Sequence, residues 1–220
     1  MSNMTLNRRA SDSIDAHFNE GTTKRYLKNE VIVQGDEEPS GVFFILEGYV
    51  KAYSISHLGQ HNLLLIQGEH EILPLPWALD GPQKVGIFYE AMSDVTVKRT
   101  SKSELRTAMG SDPWLTEQIL RQLVDAFTVY AQRIQSLGFR LPRERIIASL
   151  LDLSTRFGER HAEGTVIKAP ITHQDIADST NMTRETASRA VELLFNDKLI
   201  HQENHYFVVN DETKLQAELN

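Results

Sequence analysis

Two hydrophobic rhythms divide this chain. From Thr22 to about Thr100, apolar residues come in short runs and alternations separated by polar turns. Glu30–Gln34 reads as a strand, and Gly35–Gly41 as the turn after it. Val42–Leu46 is a second strand, Glu47-Gly48 a tight hairpin, and Tyr49–Ile55 a third strand that alternates cleanly. Leu58-Gly59-Gln60 is another turn, followed by Asn62–Ile66. Val85–Met92 and Val95–Arg99 complete the set. Short strands closed by glycine-bearing turns predict a β-sandwich or roll. Ahead of it, Ser11–Asp15 offers the start of a short helix.

After Thr100 the period lengthens. Asp112-Pro113 has the form of a helix start, with Asp as N-cap and Pro at the first helical position. No Gly or Pro interrupts the chain from there to Leu137. Apolar residues recur three or four apart at Leu115, Ile119, Leu123, Phe127, Tyr130, Ile134 and Leu137. A second line runs through Leu120, Val124 and Ala131. A helix apolar over more than one stripe packs on its own domain with one face and on a second copy of itself with another. Ile119, Leu123, Phe127, Tyr130 and Ile134 are the candidate dimer contacts, and a single buried core helix is the alternative. Gly138–Pro142 breaks this helix and makes a hinge. The next helix has an apolar face at Ile146, Ile147, Leu150, Leu151 and Leu153, and ends at Phe157-Gly158.

The richest segment runs from Thr172 to Leu199. Thr172 caps a helix whose third residue, Asp175, completes a variant capping box. Ile176 and Ala177 face inward, and Ala177 is small where two crossing helices must approach. Asn181 suits a left-handed turn position. Thr183 then caps a second helix from Arg184 to about Asn196, with Ala187, Val191 and Leu194 inward. Two short helices joined by a tight turn are a helix-turn-helix.

The outward face of the second helix carries Arg184, Glu185, Ser188 and Arg189. An Arg donates twice to guanine O6 and N7, and a Glu accepts from cytosine N4, so these are candidate base readers. Thr172, His173 and Thr183 lie at helix N-termini, where N–H groups and hydroxyls suit phosphate. A solvated face with ordinary ion pairs is the alternative for the charged trio. Two strands follow around the polar turn Glu203–His205, and form a wing.

Composition narrows the rest. The chain has 220 residues, 40% hydrophobic and 24% charged, enough for two modest domains. The absence of cysteine excludes disulfides, thiol catalysis, and cysteine-ligated zinc or iron–sulfur centres. The net charge of −7 argues mildly against a nucleic-acid binder, but affinity depends on where the bases sit. No run approaches the length needed to span a bilayer, and the first residues lack a secretory pattern, so a cytoplasmic location without membrane contact is expected. No nucleophile–base pair, phosphate loop or metal-spaced cluster is present, so no enzymatic activity and no cofactor are expected. His57, His61 and His70 lie close in sequence and are candidates either for metal or haem ligation or for plain solvent exposure.

Gln174–Ala177 and Met182-Thr183-Arg184-Glu185-Thr186-Ala187-Ser188-Arg189 resemble the helix-turn-helix of the Crp–Fnr superfamily. Val42–Lys51 resembles the strand–turn–strand of that family's β-roll, and the likeness covers most of the chain. The resemblance implies an α+β fold: a cyclic-nucleotide-binding-like β-roll or jelly roll (1–111), a dimerisation helix and hinge (112–138), and a winged helix-turn-helix (139–220). It implies that Arg184 and Arg189 contact guanines while Glu185 contacts the complementary strand. The expected partners are double-stranded DNA, a second copy of the chain, RNA polymerase and an effector of unknown identity.

The sequence departs from the family at the ligand pocket. Cyclic-nucleotide binders of that family carry a Gly-Glu pair opening a short helix, then Arg-Ser/Thr-Ala. This chain reads Glu71-Ile72-Leu73-Pro74-Leu75-Pro76-Trp77-Ala78-Leu79 and later Lys84–Tyr89. The prolines remove amide donors that a cyclic phosphate would need. No cyclic nucleotide is therefore expected. Trp77, Lys84, Phe88 and Tyr89 are candidates for an apolar effector pocket, with ordinary core as the alternative. A sensor of a small molecule, metal or haem whose output is not DNA binding is the competing reading of the whole chain.

Overall fold

A computed structural model describes Ile14 and residues 17–84 and 86–219. Contacts group the chain into two compact units. One comprises the residues up to Ser54 with Leu65–Phe127, the other Ile55–Leu64 with Thr128–Asn220. The helix suggested at Ser11–Asp15 lies, apart from Ile14, outside the described residues.

Eight strands precede the long helix, in the first unit except for Ile55 and His61–Leu64: β1 (Thr22–Tyr26), β2 (Val31–Val33), β3 (Val42–Glu47), β4 (Val50–Ile55), β5 (His61–Gln67), β6 (Ile72–Leu73), β7 (Phe88–Ala91) and β8 (Val95–Thr100). They form two four-stranded sheets, ordered β1-β8-β3-β6 and β2-β7-β4-β5. Gly48 makes the β3–β4 turn at φ 94°, where a Cβ would meet the Asp94 carbonyl at 2.3 Å. Only glycine fits there without strain. The strand expected from Val85 starts at Phe88, and Val85 itself lies outside the described residues.

Three helices follow the strands' logic. α1 (Leu75–Ala78) is a single turn, and α2 (Lys102–Ser111) is opened by a capping box between Ser101 and Glu104. The pattern of apolar residues had not shown α2, because only its Leu105 is buried. α3 (Pro113–Ser136) starts as the sequence predicts, with the Asp112 carboxylate accepting the N–H groups of Trp114 and Leu115. Its first turns bury Leu115 and Ile119 against Phe18, Phe44, Ile72, Trp77 and Leu105. Gln122, one turn on, donates its amide to the His70 carbonyl (2.8 Å) and accepts the Ile72 N–H (3.0 Å).

The dimer-contact set needs correction here. Ile119 is fully buried in its own unit and has no surface left to offer. Tyr130 is half-buried, and burial pushes its phenol above the ordinary range. The exposed apolar line runs instead through Leu120, Leu123, Val124, Phe127 and Ile134, with Phe127 and Ile134 each 72% exposed.

The second unit holds α4 (Pro142–Phe157), β9 (Gly158–His161), β10 (Gly164–Ile167), α5 (His173–Thr180), α6 (Arg184–Asn196), β11 (Ile200–Glu203), β12 (Tyr206–Val209) and α7 (Glu212–Ala217). The strands pair as β11-β12-β10-β9. The β9–β10 hairpin and α7 were not foreseen, since Gly158–His161 is exposed throughout and shows no alternation. Ile146, Ile147 and Leu150 of α4, Val191 and Leu194 of α6, and Phe207 of β12 are buried as this unit's core. Helices α4, α5 and α6 pack together beside a four-stranded sheet, the winged helix that the sequence implies.

Candidate nucleic-acid interface

The site grows from the turn between α5 and α6. Thr172 accepts the Asp175 N–H in its hydroxyl (3.1 Å), and Asp175 in turn accepts the Thr172 N–H (2.8 Å) and O–H (2.6 Å). This closed box fixes where α5 begins, and it spends both Thr172 donors inside the protein. Thr172 is therefore a cap and no longer a phosphate donor. The first-turn N–H groups beyond it have no acceptor within the helix.

Ala177 is fully buried. Asn181 ends α5 at φ 55° and ψ 54°, the left-handed position expected of it. At the same end, Arg133 from the last turns of α3 donates Nε to the Ser179 carbonyl at 3.0 Å and a terminal nitrogen to Asp178 and to the side chain of Asn62. Helix C-terminal carbonyls have no intrahelical partner, so this guanidinium satisfies groups that the helix leaves open and fixes its end. Arg143 anchors the far end of α6 through Asp197 (2.5 Å) and reaches Glu218 (2.8 Å).

With both helices fixed, α6 sorts its residues by face. Ala187, Ala190, Val191 and Leu194 are buried. Arg184, Glu185 and Arg189 are exposed and Ser188 is half-exposed. Thr183 caps the helix by accepting the Thr186 N–H. The Glu185 carboxyl is held below its ordinary range by hydrogen bonds from its own N–H and from Thr183, with Arg189 and Arg184 close by. The Glu185 carboxyl therefore stays ionised at neutral pH. Glu192, exposed one turn beyond Ser188, extends the same face; the sequence reading passed over it because it lies outside the Arg-Glu-Thr motif.

His173 was expected at the phosphate backbone. The structure places its Nδ1 3.0 Å from the Ser188 hydroxyl and its ring over Phe207 of β12, at 5.7 Å between centroids. Burial, with the Arg184 charge nearby, holds this imidazole below its ordinary 6.5. The wing turns at Asn204 and His205, both at positive φ, the backbone of a two-residue hairpin turn.

The effector-pocket candidates do not share one setting. Trp77 is 6% exposed within the first unit's core, with the Lys102 ammonium 5.2 Å from its ring centroid. Phe88 stacks on Tyr53 at 5.4 Å, Tyr89 is buried, and Lys84 is exposed. Trp77 is thus core, as the alternative reading had it. Pro76 sits at the second position of α1 and has no N–H, so the turn that would cradle a phosphate presents fewer donors. His57, His61 and His70 are all exposed, and among the described residues no group of three His, Cys, Asp or Glu is placed to hold a metal. Among those residues, too, no helix is long and apolar enough to cross a membrane.

Comparison with known proteins agrees with this geometry. Residues 144–218 match the Crp-like helix-turn-helix domain, and residues 23–112 match the cyclic nucleotide-binding domain. The global nitrogen regulator of Nostoc sp. is 27% identical over 177 residues, 80% of this chain and 79% of that protein. The fumarate and nitrate reduction regulatory protein of Vibrio cholerae is 23% identical over 211 residues, 96% of this chain and 83% of its own. FixK2 from Bradyrhizobium japonicum superposes with a TM-score of 0.76 at 22% identity, covering 90% of this chain and 96% of that one. The last likeness is one of fold.

Proposed function

The chain belongs to the Crp–Fnr superfamily of transcription regulators, and from that premise we propose that it acts as a homodimer on a palindromic DNA site, with an effector pocket that no longer takes a cyclic nucleotide. One observation carries the DNA reading: Arg184, Glu185 and Arg189 stand exposed together on a helix whose opposite face is buried and whose start is capped. Side chains in the first turns of such a helix are the ones that reach base edges when it enters a major groove. Each Arg suits guanine O6 and N7, and Glu185 suits cytosine N4. The first amides of α5 and α6 suit the flanking phosphates, whereas the Thr183 hydroxyl is engaged with Glu185 and Thr186.

The exposed side of α3 supports the symmetry. Leu120, Leu123, Val124, Phe127 and Ile134 line one exposed side of it at three- and four-residue spacing. Large apolar side chains in such a line are stabilised by burial against a copy of themselves. Two recognition helices then enter successive major grooves about 34 Å apart. Bound there in the cytoplasm, the dimer regulates by recruiting or blocking RNA polymerase. For the pocket, Pro74 and Pro76 at the start of α1 and the buried Trp77 favour an effector other than a cyclic nucleotide.

Selection of bound duplexes from random sequence tests the reading. A two-fold consensus is expected. Arg184→Ala and Arg189→Ala should each weaken binding by about 1–3 kcal/mol and relax preference at one symmetric pair of positions. Failure to enrich any sequence at low salt, or a footprint unchanged in both variants, would refute it.

A further inference from the structure

Ser188 lies among the base-facing residues of α6, yet its hydroxyl is not at liberty. It meets Nδ1 of His173, on the first turn of α5, at 3.0 Å. A serine hydroxyl has one proton and two lone pairs, and a neutral imidazole has one N–H and one bare nitrogen. The pair can therefore be wired in two ways. If Nδ1 is bare, Ser188 donates to it and turns only lone pairs toward the groove. If Nδ1 carries the proton, Ser188 accepts it and turns its own proton toward the groove.

Neutrality alone allows both wirings, and a partner on the other ring nitrogen chooses between them. His173 is held unprotonated at neutral pH by its burial and by the charge of Arg184. Phe207, against its ring, offers no polar partner that would compete. With Nδ1 bare, the proton resides on Nε2, the ring's remaining hydrogen-bonding atom. His173 also lies at an α5 N-terminus, where amides and the helix dipole attract a phosphate. A phosphate oxygen accepting from Nε2–H holds the proton on that nitrogen and leaves Nδ1 bare.

We propose that His173 is a specificity-determining residue: contact with the DNA backbone sets its tautomer, and the tautomer makes Ser188 a hydrogen-bond acceptor toward the base edge. Ser188 then favours a base presenting an amino group in the major groove, adenine through N6 or cytosine through N4. Backbone contact and base choice are thereby one event rather than two. The inference rests on the DNA-binding reading above and adds the sense in which one position of the site is read.

The test is random-sequence selection with the full-length protein and three variants. Ser188→Ala identifies the base pair that depends on the hydroxyl. In wild type that pair should place adenine or cytosine opposite Ser188. His173→Ala should abolish preference at that pair alone, keep the arginine-dependent positions, and weaken binding roughly tenfold, the size of a lost charge-assisted hydrogen bond. His173→Lys supplies a phosphate contact but no bare nitrogen. It should restore affinity without restoring the preference, which a merely structural role for His173 would not produce.

Guanine or thymine selected opposite Ser188, a pair unmoved by His173→Ala, or full preference in His173→Lys would each overturn the proposal while leaving the wider DNA reading intact. Absence of any wild-type consensus would remove both.

Discussion

Thr172–Leu199 and Glu71–Tyr89 are both stretches in which chemistry-bearing side chains cluster in sequence, and the fold treats them in opposite ways. In the first, a capped start and a buried apolar back oblige Arg184, Glu185 and Arg189 to stand outward together. In the second, Trp77 turns into the core, Tyr89 is buried, Phe88 stacks on Tyr53, and Lys84 points to solvent. Charged residues on one face of an amphipathic helix have few ways to be placed except in water or against a ligand. Aromatic residues in a β-roll have an ordinary use as filling, so their presence says little about a pocket.

The contrast can be pressed from its strongest consequence downward. Phe127→Glu combined with Ile134→Glu puts four carboxylates into a two-fold interface that otherwise buries four large apolar side chains. At roughly 1.5–3 kcal/mol each, the loss should render the chain monomeric in sedimentation and lower operator affinity at least about a hundredfold. A dimer unaffected by both changes would place the symmetric contact elsewhere.

Trp77→Ala should destabilise the first unit by about 3–5 kcal/mol in denaturant unfolding, as removal of a buried aromatic does. Lys84→Ala should change stability by less than about 0.5 kcal/mol. Equal effects of the two would erase the distinction drawn between filling and surface. Thr172→Ala removes the cap of α5 and should cost about 1 kcal/mol of thermal stability. Its effect on the salt dependence of DNA binding should be negligible, because its donors already serve Asp175. A shallower salt slope would return Thr172 to the phosphate contacts.

Much of the fold was legible because local chemistry and tertiary packing agree. Asp112-Pro113 announced α3, Gly48 the β3–β4 turn, and Asn181 the left-handed end of α5, and each does locally what it does in the structure. What was not legible depends on partners distant in sequence. Ile119 and Phe127 have the same helical spacing, but one meets Phe44 and Ile72 and the other meets water. Periodicity alone cannot rank two apolar stripes on one helix. The β9–β10 hairpin was hidden because its outer strand buries nothing, and the link between His173 and Ser188 spans 15 residues and a turn. Arg133, which fixes α5 from a different helix, left no local mark at all.

Gln122 gives helix α3 a property that apolar contacts cannot. Leucine and isoleucine slide past neighbours at little cost, whereas an amide that both donates to His70 and accepts from Ile72 reads the main chain of a turn as a third strand would. The helix is thereby indexed to the sheet at one residue, like a key in a slot. Any displacement of that turn must either carry the helix with it or break two hydrogen bonds at once.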